Sequence, residues 1–366
     1  MKRILILTAG FGEGHNSAAR GIRDGLAEIS NGSAQVELHD LFADTYGVAN
    51  EWARIAYLGL IDRAPAVWGV VYRWLDRERT FTGNFKVFFT LKNRLSRLLA
   101  RLRPDVIISV YPAYPHMLDE MLGPAGGADY KRVVVVTDSL SVNAIWYRCS
   151  ADYFLLPNED SAAVLWNAGI PREKTKTFGF PVTPRFAELK EFRPAPSDEN
   201  GRRVLYLVNG AKPFAPELVR RLAALPEIEL TVTTGRDARL FRTLEEVRVS
   251  SGRNFEIIDW SDDLPRLLAS THLLISKAGG ATVQETIAAG CPMIVNHIIP
   301  GQEEGNARLI TQTKSGAVAR THDDVIANVQ KSFSDDAAIW REWSRNIAQL
   351  RRPAAALETA SFLLSL

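Results

Sequence analysis

The chain has 366 residues, enough for about two domains of ordinary size. With 46% hydrophobic residues, 23% charged and a net charge of +2, it can bury two cores, and a globally basic nucleic-acid binder is excluded. Two cysteines, Cys149 and Cys291, lack metal-ligand spacing and point to a reducing, cytoplasmic compartment. The opening apolar run, Ile4 to Leu7, is too brief for a secretory signal and reads as a buried first strand. No stretch approaches the ~20 apolar residues of a membrane span, so any work on a membrane is expected from its surface.

Strand-length apolar runs follow in order at residues 3–8, 34–38, 105–110, 132–136 and 153–156. Five more lie at 204–208, 229–233, 255–258, 272–276 and 293–298. Many are rich in Val, Ile and Leu on both faces, as parallel strands covered by helices should be. Helix-length segments between them, such as 15–29, 161–168, 217–225 and 282–289, predict a doubly wound α/β architecture. The Pro-rich then polar stretch 188–203 is the expected linker. It divides a first Rossmann-like domain, 1–187, from a second, 204–334. Residues 335–366 are C-terminal helices and candidates to pack back on the first domain. A cleft between two such domains is a common place for a ligand.

Two glycine turns carry the chemistry. Gly10-Phe11-Gly12-Glu13-Gly14-His15 joins the first strand to a helix, whose N-terminal N–H groups favour an anion. The glycine spacing is not the dinucleotide fingerprint. The bland alternative is a turn that only packs helix on sheet, with His15 a satisfied structural residue. The second turn, Ser276-Lys277-Ala278-Gly279-Gly280-Ala281-Thr282, can present N–H groups to a diphosphate, and Glu285 one turn later can hold a ribose diol. Gln302 and Glu303, after the next strand, suit the hydroxyls of a sugar ring. Asn209-Gly210 and Thr234-Gly235 end two further strands and would line the same edge.

These motifs resemble the glycosyltransferase family of monogalactosyl- and glucosyl-diacylglycerol synthases, with a more distant likeness to the N-acetylglucosaminyltransferase of the peptidoglycan lipid precursor. The resemblance rests on Gly12-Glu13-Gly14-His15, Arg103-Pro104-Asp105-Val106-Ile107-Ile108, Thr137-Asp138, Gly279-Gly280 through Glu285, and Pro300-Gly301-Gln302-Glu303 with Asn306. It implies a GT-B fold, with two Rossmann-like domains facing a cleft. It also implies a UDP-sugar donor, inversion at the anomeric carbon, and no bound catalytic metal or other cofactor. On the same likeness Glu285 holds the ribose, and Gln302 and Glu303 hold donor-sugar hydroxyls. Gly14, Asn209, Gly210, Thr234, Gly235, Gly279, Gly280, Ala281 and Thr282 complete the donor set. His15 stands at the acceptor hydroxyl as general base, with Asp138 as the alternative. The family often has His-x-x-Trp after the Thr-Asp pair; here Asn143 replaces the histidine ahead of Trp146. Ala278 stands where proline is usual.

Between Glu51 and Arg103 lie eleven Lys or Arg residues against four acidic ones, interleaved with aromatics. Cations and rings together suit an anionic membrane surface. The candidates are Trp68, Trp74, Phe85, Lys86, Phe88, Phe89, Lys92, Arg94 and Arg97, and the expected partner is a lipid acceptor rather than nucleic acid. An ordinary helical insertion with its aromatics in the core is the plain alternative. A UDP-sugar epimerase of the same fold and a non-catalytic UDP-sugar or lipid-binding module are the rival functions. The sequence leaves open the hexose and the oligomeric state.

Overall fold

The structure, a computed structural model, describes residues 1–52, 56, 59, 67, 88–125, 130–189, 193–301 and 303–366. The chain forms two compact units. Unit 1 is Met1–Pro184 with Pro300–Gly305 and Arg352–Leu366; unit 2 is Arg185–Ile299 with Asn306–Arg351.

In unit 1 the order is β1 (Lys2–Thr8), α1 (Glu13–Ile29), β2 (Ala34–Asp40), α2 (Leu41–Tyr46), α3 (Phe89–Leu102), β3 (Val106–Ser109), α4 (Ala113–Leu122), β4 (Lys131–Val135), β5 (Tyr153–Leu155), α5 (Glu159–Asn167) and β6 (Thr175–Lys176). The sheet runs β2-β1-β3-β4-β5-β6, and every neighbouring pair is parallel. Ile4, Leu5, Ile6 and Leu7 on β1 are all buried, which the continuous apolar run requires of a central strand covered on both faces. Strand order reverses between β1 and β3, and ligands of open α/β sheets bind beyond the carboxyl ends of the strands at such a reversal.

Unit 2 continues with α6 (Arg185–Glu188), β7 (Arg203–Leu207), α7 (Ala215–Ala223), β8 (Glu229–Thr233), α8 (Ala238–Ser251), β9 (Glu256–Ile258), α9 (Leu264–Ser270), β10 (Leu273–Lys277), α10 (Gly280–Ala289), β11 (Met293–His297), α11 (Glu304–Gln312), β12 (Gly316–Val318) and α12 (His322–Leu350). Its sheet, β12-β11-β10-β7-β8-β9, is again wholly parallel, and here the reversal lies between β7 and β10. Val204, Tyr206, Leu273 and Ile275 from the two central strands meet Leu218 and Leu222 of α7 and Leu244 of α8. Trp340 and Trp343 of α12 close the same core, so residues 335–351 stay with unit 2.

The last helix, α13 (Ala355–Ser365), returns to unit 1 and packs on α1. The two helices approach closely because α1 carries glycine at the contact. A Cβ on Gly25 would lie 2.6 Å from the Ala356 carbonyl oxygen, and one on Gly21 would lie 1.9 Å from the Pro181 oxygen.

Helix α12 is broken in the middle. Asp335, Asp336 and Ala337 are all left-handed, with φ of 50°, 54° and 55°. Each such residue with a Cβ costs roughly 1–2 kcal/mol, and glycine escapes that cost. Asp335 is exposed. Asp335→Gly should therefore stabilise the protein by about 1 kcal/mol. A denaturation midpoint that moves up at constant slope would show it; an unchanged or lower midpoint would remove strain as the reason for the break.

Candidate active site

In unit 1 the turn after β1 is pinned from below. The Thr8 hydroxyl donates to Asn16 Oδ1 at 3.0 Å, and the Gly10 N–H donates to Asp40 Oδ2 at 2.8 Å. The other Asp40 oxygen accepts from the Ala43 N–H at 2.9 Å and caps α2. Helix α1 then starts behind Gly12 with no side-chain cap, and Gly14 and His15 fall in its first turn. The His15 ring lies 5.2 Å from the Tyr111 ring and 5.8 Å from that of Trp146. Its Nδ1 is 3.2 Å from the Thr137 hydroxyl. His15 is half-buried, and its surroundings strip water from the ring. This desolvation lowers its pKa to about 4, against the pull of a hydrogen bond to the Val110 carbonyl. His15 is therefore neutral near pH 7 and able to accept a proton.

Asp138 is half-buried, and its carboxylate accepts from the Asn143 N–H at 3.4 Å. Asn143 is buried, with its side-chain oxygen accepting from the Ile145 N–H at 3.0 Å. It caps the short turn Ala144–Trp146 that sets Trp146 beside His15. The residue that replaces the family histidine thus helps build the wall of the His15 site through its side-chain cap. Glu303 is buried in unit 1. The neighbouring Gly305 lies so close to the 139–141 loop that a Cβ would sit 2.1 Å from the Ser139 oxygen. Gln302 lies outside the described residues.

In unit 2 the two strands at the reversal are tied by one side chain. Asn209 Oδ1 accepts from the Ser276 hydroxyl at 3.0 Å and from the Lys277 N–H at 3.4 Å, while its Nδ2 donates to the Thr282 hydroxyl at 3.1 Å. The turn after β7 is thereby held against the turn after β10. Gly279 is the N-cap of α10 and offers no side chain to it. The first-turn N–H groups, at Gly280, Ala281 and Thr282, form the positive end of a ten-residue helix. Glu285 follows one turn later, half-buried. At the far end the carbonyls of α10 are held by cations. Arg193 donates to the Gly290 and Ala289 oxygens at 2.7 and 3.3 Å, and Arg351 Nε donates to the Ala288 oxygen at 3.1 Å. The helix that offers its N-terminus is thus fixed by its C-terminus.

The Thr234 hydroxyl is buried without a partner among the described residues, and Gly235 takes φ +58° in the turn after β8. Beside it the Arg236 guanidinium lies 4.5 Å over the ring of Trp260, which is 49% exposed at the end of β9. The structure thus brings Asn209, Gly210, Gly279 to Thr282 and Glu285 to one sheet edge of unit 2, and Gly14, His15 and Asp138 to one edge of unit 1. Sequence reasoning missed Tyr111 and the roles of Thr137 and Trp146 around His15. Their signal was position, since Tyr111 and Thr137 directly follow strand ends.

In the basic aromatic segment, Trp68, Trp74, Phe85 and Lys86 lie outside the described residues. Phe88 packs edge-on against Phe42 at 5.6 Å. Lys92 pairs with Glu120 at 2.5 Å, and Arg94 donates to the Asp44 carbonyl at 2.6 Å. Arg97 is exposed, and so are the apolar side chains of Val48, Trp52 and Phe89. Among the described residues no helix is long and apolar enough to cross a membrane, and no group of three or more His, Cys, Asp or Glu could hold a metal ion.

Known proteins resemble this chain over both of its halves. The sequence model of the monogalactosyldiacylglycerol synthase family matches residues 15–182, and that of the glycosyltransferase family 28 C-terminal domain matches residues 207–341. A processive diacylglycerol beta-glucosyltransferase of Bacillus subtilis strain 168 is 24% identical over 360 residues, covering 95% of this chain and 91% of its own. A probable chloroplastic monogalactosyldiacylglycerol synthase of Glycine max is 26% identical, over 97% of this chain and 69% of its own. Among solved structures, MurG of Acinetobacter baumannii superposes with a TM-score of 0.65 over 100% of both chains at 12% identity. With its first half matched by the monogalactosyldiacylglycerol synthase model, its second by the glycosyltransferase family 28 model, and two parallel six-stranded sheets in place, the chain is a glycosyltransferase of GT-B fold.

Proposed function

We propose that this enzyme moves a hexose from a UDP-sugar to diacylglycerol on the surface of a membrane, the cytoplasmic face of the cell membrane, with inversion at the anomeric carbon. The observation that carries the donor reading is the uncapped N-terminus of α10 at the β7/β10 reversal, with Glu285 one turn along it. A diphosphate fits the N–H groups, and a ribose diol fits the carboxylate. The names of the relatives support the lipid acceptor, and the exposed Val48, Trp52 and Phe89 support an approach to lipid. In the reaction the bond between the anomeric carbon and the β-phosphoryl oxygen breaks, and its electron pair leaves with UDP. The acceptor oxygen attacks from the opposite face, and its proton passes to His15. Helix N–H groups stabilise the charge that develops on UDP, so no resident metal is needed. Gln302 and Glu303 remain the proposed holders of the sugar hydroxyls.

The test is a screen of UDP-hexoses with diacylglycerol in anionic vesicles, with UDP release followed and lipid products read by mass spectrometry. One UDP-hexose should give a hexosyl-diacylglycerol, the product should survive EDTA, and vesicle binding should weaken with added salt as surface charge is screened. An epimerised UDP-sugar without lipid product would reassign the reaction. Loss in EDTA restored by Mg²⁺ would overturn the metal-free mechanism.

A further inference from the structure

We propose that Lys277 binds the donor's diphosphate and stabilises UDP as it leaves, in a slot that Gly210 exists to keep open. The inference rests on the UDP-sugar reading of the same site. Pairing between β10 and β11 slips between Ser276 and Lys277, a bulge at the end of the strand. Bulges re-aim side chains, and they recur next to active sites. Here Ser276 turns its hydroxyl to the Leu207 carbonyl at 2.9 Å and to Asn209 at 3.0 Å. The stem of Lys277 runs across Gly210: a Cβ on residue 210 would lie 2.8 Å from Lys277 Cδ and 3.4 Å from His297 Cδ2. Any side chain at 210 would push the lysine out of this path. Gly210 has no positive φ that would itself demand glycine, so the space is the reason for the residue.

Two residues beyond Lys277 is the bare N-cap of α10. A flexible ammonium and a row of helix N–H groups at one strand end match an anion with oxygens on two phosphorus atoms. When the glycosyl bond breaks, the electron pair stays on the β-phosphoryl oxygen, and a cation brought there by the Lys277 stem favours the leaving state over the intact donor. The plain alternative is that the apolar stem of Lys277 only fills space over Gly210. Methionine separates the two, because it keeps the stem and removes the charge.

Uridine and UDP titrated into the folded protein by calorimetry provide the measurement. Lys277→Met should weaken UDP about tenfold or more, as expected for loss of a charge-assisted contact, and leave uridine within about twofold. It should also lower kcat about a hundredfold. Gly210→Ala should give the same signature, and the double variant should be little worse than either single one, since both act through one ammonium. Glu285→Ala, on the ribose, should weaken uridine and UDP alike. UDP affinity unchanged in Lys277→Met would overturn the proposal and leave the donor site standing. Wild-type protein that binds neither uridine nor UDP would overturn both.

Discussion

His15→Ala should lower lipid glycosylation by about a hundred- to ten-thousand-fold, the usual contribution of a positioned general base. UDP affinity should stay within about twofold, because His15 belongs to the other glycine turn. Asp138→Asn should cost far less if His15 is the base, and the order of the two losses decides between them. The pH profile is a second readout. With its folded-state pKa near 4 instead of 6.5, the ring stays unprotonated through mildly acidic conditions. The acid limb of kcat should therefore lie near pH 4 in protein that remains folded, well below the usual range of histidine. Below pH 6.5 the unfolded chain binds a proton that the desolvated His15 ring refuses. The stability from burying the neutral ring is thus complete above pH 6.5 and fades as pH falls towards 4. A limb at 6.5 would show that the ring is solvated in the working enzyme.

Gly21→Ala should destabilise the protein by about 3 kcal/mol or more, at the upper end of what overpacking costs. The sign is the informative part. Gly to Ala inside a helix ordinarily gains about 1 kcal/mol. At position 21 the new carbon would stand 1.9 Å from the Pro181 oxygen and 2.8 Å from its carbonyl carbon, and both are backbone. Neither can swing aside as a side-chain tip could, so α1 must move off the segment or the segment off α1. Thermal or urea unfolding of the variant is the check, with an exposed helical Gly→Ala elsewhere as control. A stabilised variant would mean that α1 and the 181–182 segment are not packed together in solution.

The parallel strands were legible because the chain writes them as unbroken apolar runs between helix-length segments. Of the twelve strands among the described residues, ten are anticipated within a residue or two of their observed positions. The two that are not, Thr175–Lys176 and Gly316–Val318, are edge strands of two and three residues, too short to carry a period. Residues 335–351 were grouped with the C-terminal helices, but the break at Asp335 to Ala337 lets Trp340 and Trp343 reach the unit 2 core. No local pattern announces three left-handed residues without glycine. At the site, the glycine turns and Glu285 stood out from residue type and spacing. Asn209 as a tie between two turns depends on Ser276, 67 positions away, and the bulge at Lys277 depends on pairing with β11 (Lys277 opposite His297); a one-dimensional reading joins neither.

Arg193 lies inside the Pro-rich stretch that looks, in sequence, like a passive linker. Its guanidinium nevertheless finishes the tail of α10, as Arg351 does from the other end of the unit. Chimeras that exchange donor-binding halves between related transferases would thus be cut wrongly at residue 203. A fragment starting there arrives without the cation that its central helix uses, and depends on the recipient to supply an arginine at the same place. Joints at Pro184/Arg185 and Arg351/Arg352 carry both arginines with the helix they serve. Part exchange between homologues should follow ownership of these caps rather than the polar composition of the connecting peptide.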